Sequence, residues 1–332
     1  MSTLTSVRDG RAWIQMAGLQ RRYPLLQIVA LVVLSGYCAA TIDGFTDRSS
    51  IYSLLILACF LGFAGAGQTV VILLGGIDFS IPAFISVGAI ITPELLGTHH
   101  WPFPAALALV VGLALAGGAF NGYVSHRFSV QPLIVTLGTA SLVSGALLIW
   151  IKGGAQGASP EWLSRLSSPT GTTFGVDVPP AVVLWLLLSI VLGVVLHRTV
   201  PGRRVYLTGA NPRAAELALI RTRRVWMGGF AVSALCSALV GVLLAGFSGS
   251  GDVTIGDPYL FQGLTAVIVG GTMMGGRGDY WRTALGALLL TVLSTILVSM
   301  GLQNPEQQML FGALILLVVA GYGRDQRLRD RV

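Results

Sequence analysis

Charge is scarce in this chain: 11% of its 332 residues are Asp, Glu, Lys or Arg, against about 25% in a water-soluble domain. Lysine is almost missing, Lys152 being the sole example among 21 basic residues. A phosphate-cradling P-loop needs a lysine beside a glycine-rich turn, and no G-x-x-x-x-G-K-[ST] occurs. ATP hydrolysis in its usual form is excluded. Cysteine is limited to Cys38, Cys59 and Cys236, widely separated and remote from the four histidines. Neither a disulfide framework nor a zinc site is supported, and the three are read as small packing residues. His99-His100 is the only histidine pair, with Glu94 five residues before it and no H-E-x-x-H frame. An interfacial turn beside Trp101 explains the pair better than catalysis does.

Apolar sequence is what remains. The chain is 54% hydrophobic, with a mean hydropathy of +0.77. Apolar runs of about 20 residues, the length that crosses a bilayer, follow one another nearly end to end. The expectation is an all-α integral membrane protein of about ten transmembrane helices, at 24–42, 51–74, 81–97, 103–124, 132–151, 179–197, 226–247, 259–274, 283–301 and 307–322. Pro82 and Pro93 mark the third as broken or tilted. The first run lacks a convincing cleavage site before a soluble domain, and is read as an uncleaved span.

The arginines test that count. With a cytoplasmic N-terminus, the inside segments hold Arg8, Arg11, Arg21 and Arg22, then Arg127, then seven arginines from Arg198 to Arg224. Arg277, Arg282 and the four from Arg324 to Arg331 follow on the same side, leaving only Arg48, Lys152 and Arg165 outside. This is the asymmetry of the positive-inside rule. The expected organisation is a basic cytoplasmic tail (1–23), a transmembrane domain (24–322) with a cytoplasmic loop at 198–225, and a second basic tail (323–332), in the cytoplasmic membrane. The net charge of +7 then reflects topology and contact with anionic lipid rather than nucleic-acid binding. The exterior stretch Lys152–Pro179 is polar and has no net charge, which suits either a plain connection or a docking surface.

Gly75-Gly76-Ile77-Asp78-Phe79-Ser80 places a carboxylate between two apolar runs, with no other charge from Ile51 until Glu94. An ionised Asp facing lipid at the centre of a span costs roughly 2.5–3.5 kcal/mol. Asp78 therefore faces protein or water, either in an interrupted helix beside a transport route or in a solvated turn at the membrane edge. In the basic loop, Asn211-Pro212 reads as an N-cap followed by proline at N1. Arg213 to Ile220 continues with good helix formers, Leu217 and Ile220 sharing a face with Ala214 one turn behind. Two turns are unstable alone, so this segment packs on its own bundle or inserts into a cytoplasmic partner. Gly118 and Gly122 form a G-x-x-x-G for close helix packing. Gln68, Thr136 and Thr139 are polar enough to meet a sugar's hydroxyls or to bond neighbouring helices.

Four motifs in order resemble the ribose-type ABC permeases, the membrane subunits of bacterial monosaccharide importers. They are Gly75–Ser80, Gln131–Thr139, Gly209–Ile220, and Gly270-Gly271-Thr272 with Gly275-Gly276-Arg277-Gly278. The resemblance runs from about Gln68 to the C-terminus. It implies a ten-helix permease that dimerises and receives sugar from a periplasmic binding protein. It also implies a separate ATPase subunit, which binds the ATP and Mg, engaged through a coupling helix that matches Asn211, Pro212, Ala214, Ala215, Glu216, Leu217 and Ile220. The pathway or signature residues implied are Gln68, Gly75, Gly76, Asp78, Ser80, Thr136 and Thr139, with Asp78 capping or pinning a broken helix beside the route. A wide, weakly polar route is expected, because an importer must release its cargo. The chain departs from the family in having Phe79 where leucine is usual, and Leu219 where glycine is common. A permease for a branched-chain amino acid or nucleoside, and a proton-coupled transporter, are the alternatives.

Overall fold

The computed structural model describes residues 24–329 except 153, 155, 156 and 277. The expected tail 1–23 and Arg277 lie outside the described residues. No strand occurs among those described, and the helices are α1 (Leu25–Thr41), α2 (Arg48–Leu73), α3 (Ile81–Pro93), α4 (Phe103–Arg127), α5 (Pro132–Ile151), α6 (Glu161–Ser167) and α7 (Pro180–Arg198). They continue as α8 (Val200–Ala210), α9 (Pro212–Leu217), α10 (Thr222–Ser248), α11 (Asp257–Gly270), α12 (Tyr280–Ser299) and α13 (Asn304–Arg329). Each of the ten expected spans falls on one of these helices. Seven described helices are long and apolar enough to cross a membrane: α2, α3 with its π-helical extension, α4, α5, α7, α10 and α12. By contrast, α1 has 17 residues, and α11 has 14 because the Gly270-Gly271 turn ends it early. The last helix overruns its expected end and carries the basic tail as far as Arg329. Proline marks the third span as expected: the α-helix ends at Pro93 and Glu94–Thr98 widens into a π turn.

Helices α2 and α10 form the centre. The apolar stretch of α2 is 89% buried and that of α10 is 72% buried, whereas those of α4 and α5 are 22% and 17% buried. The outer helices present Leu113, Phe120, Ile134, Leu142, Ile149 and Leu187 to the surroundings. So broad an apolar surface belongs in lipid. Within the bundle, lipid-like solvent gives little reason for helices to associate, and backbone approach at small residues takes over. Gly118 and Gly122 of α4 lie against the Phe230 and Trp226 carbonyls of α10, as the G-x-x-x-G spacing predicts. Gly88 of α3 and Gly241 of α10 meet across a second crossing, each set against a backbone carbonyl of the other helix. All three cysteines are buried and unbridged.

The described part of the Lys152–Pro179 connection packs onto the bundle. Its helix α6 buries Leu163 against α10, and the Gly157 N–H donates to Glu94 Oε2 at 2.9 Å. At Gly241 a Cβ meets the Ile85 carbonyl, while at Gly138 of α5 it meets open space. Gly241→Ala is therefore expected to destabilise the bundle by about 2–3 kcal/mol, and Gly138→Ala to change it by less than about 0.5 kcal/mol. The temperature at which the detergent-solubilised protein loses its monodisperse elution peak checks both.

Candidate functional site

The turn between α2 and α3 is built from its glycines. Gly75 adopts φ 90°, a left-handed conformation open to glycine without strain. The Gly75 N–H donates to the Ile72 carbonyl at 2.9 Å, and the Gly76 N–H to the Val71 carbonyl at 3.0 Å. These are the paired bonds of a Schellman motif, and they satisfy carbonyls that α2 would otherwise leave open. Asp78 follows, wholly buried. Its Oδ1 accepts from the Ser80 N–H at 2.8 Å and from the Ser80 hydroxyl at 2.5 Å, tying the turn to the start of α3. The Asp78 N–H donates to Gln68 Oε1 at 3.3 Å, and the Phe79 N–H to Thr136 Oγ1 at 3.0 Å.

The network extends into two further helices. Asn121 of α4 donates to the Ser80 hydroxyl at 3.0 Å, and Thr139 of α5 donates to Asn121 Oδ1 at 2.5 Å. The structure thus gathers Gln68, Asp78, Ser80, Thr136 and Thr139 around one helix break, and adds Asn121, which no sequence motif flagged. The solvated-turn alternative for Asp78 fails, because the carboxylate has no exposed surface. None of the five lines either of the two large cavities. Ser233 of α10 approaches the carboxylate without closing a bond of good geometry, so its hydroxyl, Asp78 Oδ2 and Gln68 Nε2 stay without partners among the described residues.

A polar cavity of about 690 Å³ opens instead at the opposite end of α2. Ser49, Ser50 and Ser53 of α2, Gln262 of α11, Thr291, Ser294 and Thr295 of α12, and Asn304 and Gln307 of α13 line it, with Leu57, Leu61 and Leu244 among its apolar walls. From Ser49 to Leu61 the lining descends twelve residues, about 18 Å of helix rise. Asp43 is its only charged residue. A hollow that sets hydroxyl and amide groups within a larger apolar surface suits a small neutral solute with both polar and apolar faces. Sequence inspection missed it, although Thr291, Ser294 and Thr295 recur at helical spacing on an otherwise apolar helix.

The basic loop lies at the other end of α2. Gly209 of α8 abuts the Leu73 carbonyl, and the glycine turn after α11 docks beside it, with Tyr206 donating to the Gly278 carbonyl at 2.8 Å. Burial, reinforced by the Asp279 carboxylate, pushes the Tyr206 hydroxyl up to about 12, so it remains a donor. Asn211 caps α9 as expected, accepting from the Ala214 N–H at 3.0 Å, with Pro212 at the first turn. The expected face shared by Leu217 and Ile220 does not form, because α9 stops at Leu217. Leu219 adopts φ 60°, and the Ile220 N–H returns to the Ala215 carbonyl. Leucine thus occupies a left-handed position natural to glycine, at a cost of roughly 1–2 kcal/mol. Ala215 is buried, while Leu217 and Leu219 are 86% and 90% exposed. Glu216 accepts from the Thr222 hydroxyl at 3.1 Å.

Comparison with known proteins accords with this geometry. Residues 50–320 match the model of the family described as branched-chain amino acid transport system / permease component. The fructose import permease protein FrcC of Rhizobium meliloti is 33% identical over 301 residues, covering 87% of this chain and 82% of that protein. The autoinducer 2 import system permease protein LsrD of Escherichia coli is 32% identical over 265 residues, covering 79% of this chain and 80% of that protein. No solved structure matches. The helical bundle with its lipid-facing belt, the family match and the relatives agree, and the chain is a multi-pass inner-membrane protein belonging to the permease-component family of these transport systems.

Proposed function

We propose that the chain is the membrane-spanning subunit of an ABC importer that carries a monosaccharide across the cytoplasmic membrane. The observation that carries this reading is the hydroxyl-lined cavity at one end of α2, opposite the arginine-rich loop at the other. Serine, threonine and amide side chains exchange hydrogen bonds with sugar hydroxyls, and leucines meet the apolar faces of the ring. The contacts are individually weak, as release requires. No basic residue lines the cavity. A zwitterionic amino acid would leave its carboxylate unpaired there, which favours a neutral solute over the branched-chain amino acid of the family description. The names of the two relatives, a fructose permease and an autoinducer 2 permease, point the same way.

In this reading the chain crosses the membrane ten times with both ends in the cytoplasm, and pairs with a second permease subunit. A periplasmic binding protein delivers sugar to the cavity. A separate ATPase subunit, holding ATP and Mg, pushes on Asn211, Pro212, Ala214, Ala215, Glu216, Leu217 and Ile220. Helix α9 transmits the push through α8 and the glycine turn to the end of α2, where Gly75, Gly76, Asp78 and Ser80 hold the helix break rigid. Gln68, Thr136 and Thr139 act there as supports for that break, and alternating access follows from rocking the bundle around it.

Three measurements test the scheme. Gln262→Leu with Thr295→Val removes two hydrogen-bonding groups from the cavity and is expected to lower labelled-sugar uptake by about thirtyfold, at about 1 kcal/mol per lost bond. Unchanged uptake removes the cavity from the route. Leu217→Asp, on an exposed side chain, is expected to abolish ATPase co-purification and uptake together while the permease still elutes as a folded protein. Survival of both refutes the coupling role. Asp78→Asn keeps an oxygen for Ser80 and is expected to preserve uptake, whereas Asp78→Ala loses about 2 kcal/mol of stability or more; loss of uptake in a stable Asp78→Asn protein assigns the charge itself a role in transport.

A further inference from the structure

A second large cleft, of about 620 Å³, lies between α7, α8 and α10 at the basic end of the bundle. It exists because α7 packs on α2 and α8, and α10 packs on α2, α3, α4 and α8, so the two helices splay apart from each other. Along α10 its wall is Val225, Gly228, Gly229 and Val232, one face of the helix. A Cβ at Gly228 meets nothing. The lining contains no serine, threonine, amide or acid; beyond apolar residues, glycine and proline it holds only Arg204, Arg221 and Arg224.

Those arginines have no ion-pair partner among the described residues. Nearby charges are directed elsewhere: Glu216 accepts from Thr222, and Arg223 lies over the Tyr123 ring. A smaller hollow of about 330 Å³ at the N-terminus of α10, lined by Ile220 to Arg224, shares Arg221 and Arg224 with the cleft. The guanidinium groups of Arg221 and Arg224 there favour a phosphate. An apolar trough running from such a spot into the membrane fits chains attached to that phosphate. The outer face of α7, with Leu187, Val191 and Val194, is open to lipid beside it.

We propose that this cleft binds one anionic phospholipid, its phosphodiester between Arg221 and Arg224 and its acyl chains along the Gly228 face of α10. A free phosphate does not account for the apolar trough, and a neutral lipid does not account for three unpaired arginines. Leu219 closes the rim, so the lipid lies between the segment proposed to take the ATPase's push and the helices it moves. The ligand assignment itself does not depend on that transport reading.

The test uses the full-length chain, purified, delipidated in detergent and titrated with phosphatidylglycerol or phosphatidylcholine, with bound lipid counted by native mass spectrometry. Phosphatidylglycerol is expected to bind at one copy and phosphatidylcholine not measurably. The Arg221→Gln/Arg224→Gln variant is expected to bind phosphatidylglycerol at least about tenfold more weakly, following the attraction of each arginine for an anionic headgroup. Gly228→Trp, which fills the trough where space is open, is expected to lose binding independently. Arg203→Gln, on the same loop but outside the cleft, is expected to bind as wild type, and glycerol 3-phosphate not to compete. Equal binding of both lipids, or wild-type binding by both cleft variants, overturns the proposal. Competition by glycerol 3-phosphate overturns it in favour of a free-anion site. If only the purified ATPase subunit, and no lipid, protects the cleft from labelling at Gly228→Cys, the occupant is protein and the proposal falls.

Discussion

The two hydrogen bonds that Ser80 donates to Asp78 hold together a helix break, and both side chains are wholly buried. A chain in lipid must satisfy its backbone polar groups internally, and non-helical backbone survives there only when protein surrounds it. Here α2 ends in a left-handed glycine, the Schellman bonds close its last carbonyls, and Asp78, Thr136 and Gln68 take up the N–H groups or hydroxyl that follow. Asn121 and Thr139 then tie the turn to α4 and α5. Four helices thus meet at one short segment. Their mutual placement gives α10 its deep seat against α3 and α4, where glycine lets the backbones approach.

That arrangement makes α2 the helix that reaches both the polar cavity and the basic segment. Its N-terminal turns carry the serines of the polar cavity, and its C-terminal carbonyl at Leu73 rests on Gly209 of the basic segment. The helix is about 39 Å long by its 26 residues, enough to span the hydrocarbon core. Large side chains are nearly absent where it is most enclosed, from Ala64 to Gly67. At the basic end Arg204, Arg221 and Arg224 make no ion pair among the described residues.

Most of the architecture was legible from residue patterns. Apolar runs located the ten longer helices, whereas the short α6 and α8 were not anticipated, because neither carries an apolar run long enough to stand out. Pro93 and Gly75 marked breaks that occur where expected, since proline and left-handed glycine act locally, whereas the turn at Gly271 ends α11 ahead of its expected limit at 274. Asn211-Pro212 likewise announced a helix start. The end of α9 was not legible: Leu219 adopts a conformation its own propensity opposes, and only the packing of Ala215 and the return of the Ile220 N–H impose it. The cavity was missed because its hydroxyl and amide groups are scattered over four helices, each contributing a few residues that read singly as ordinary polar positions of an apolar helix.

Residue patterns alone set out a helical membrane bundle with a basic end, its helix breaks at Gly75 and Pro93, and the family motifs it carries. These follow from transfer energies and local backbone preferences, which each segment expresses alone. Only the tertiary structure decided that Asp78 is a buried strut bonded to Ser80 rather than a solvated turn or a cavity-lining carboxylate. It alone brought Asn121 to that turn, opened the hydroxyl-lined hollow at the far end of α2, and left a cleft between α7 and α10. Each of these depends on how helices distant in the chain cross, and crossing is set by which small residues face one another, a property of pairs of segments that no single segment contains.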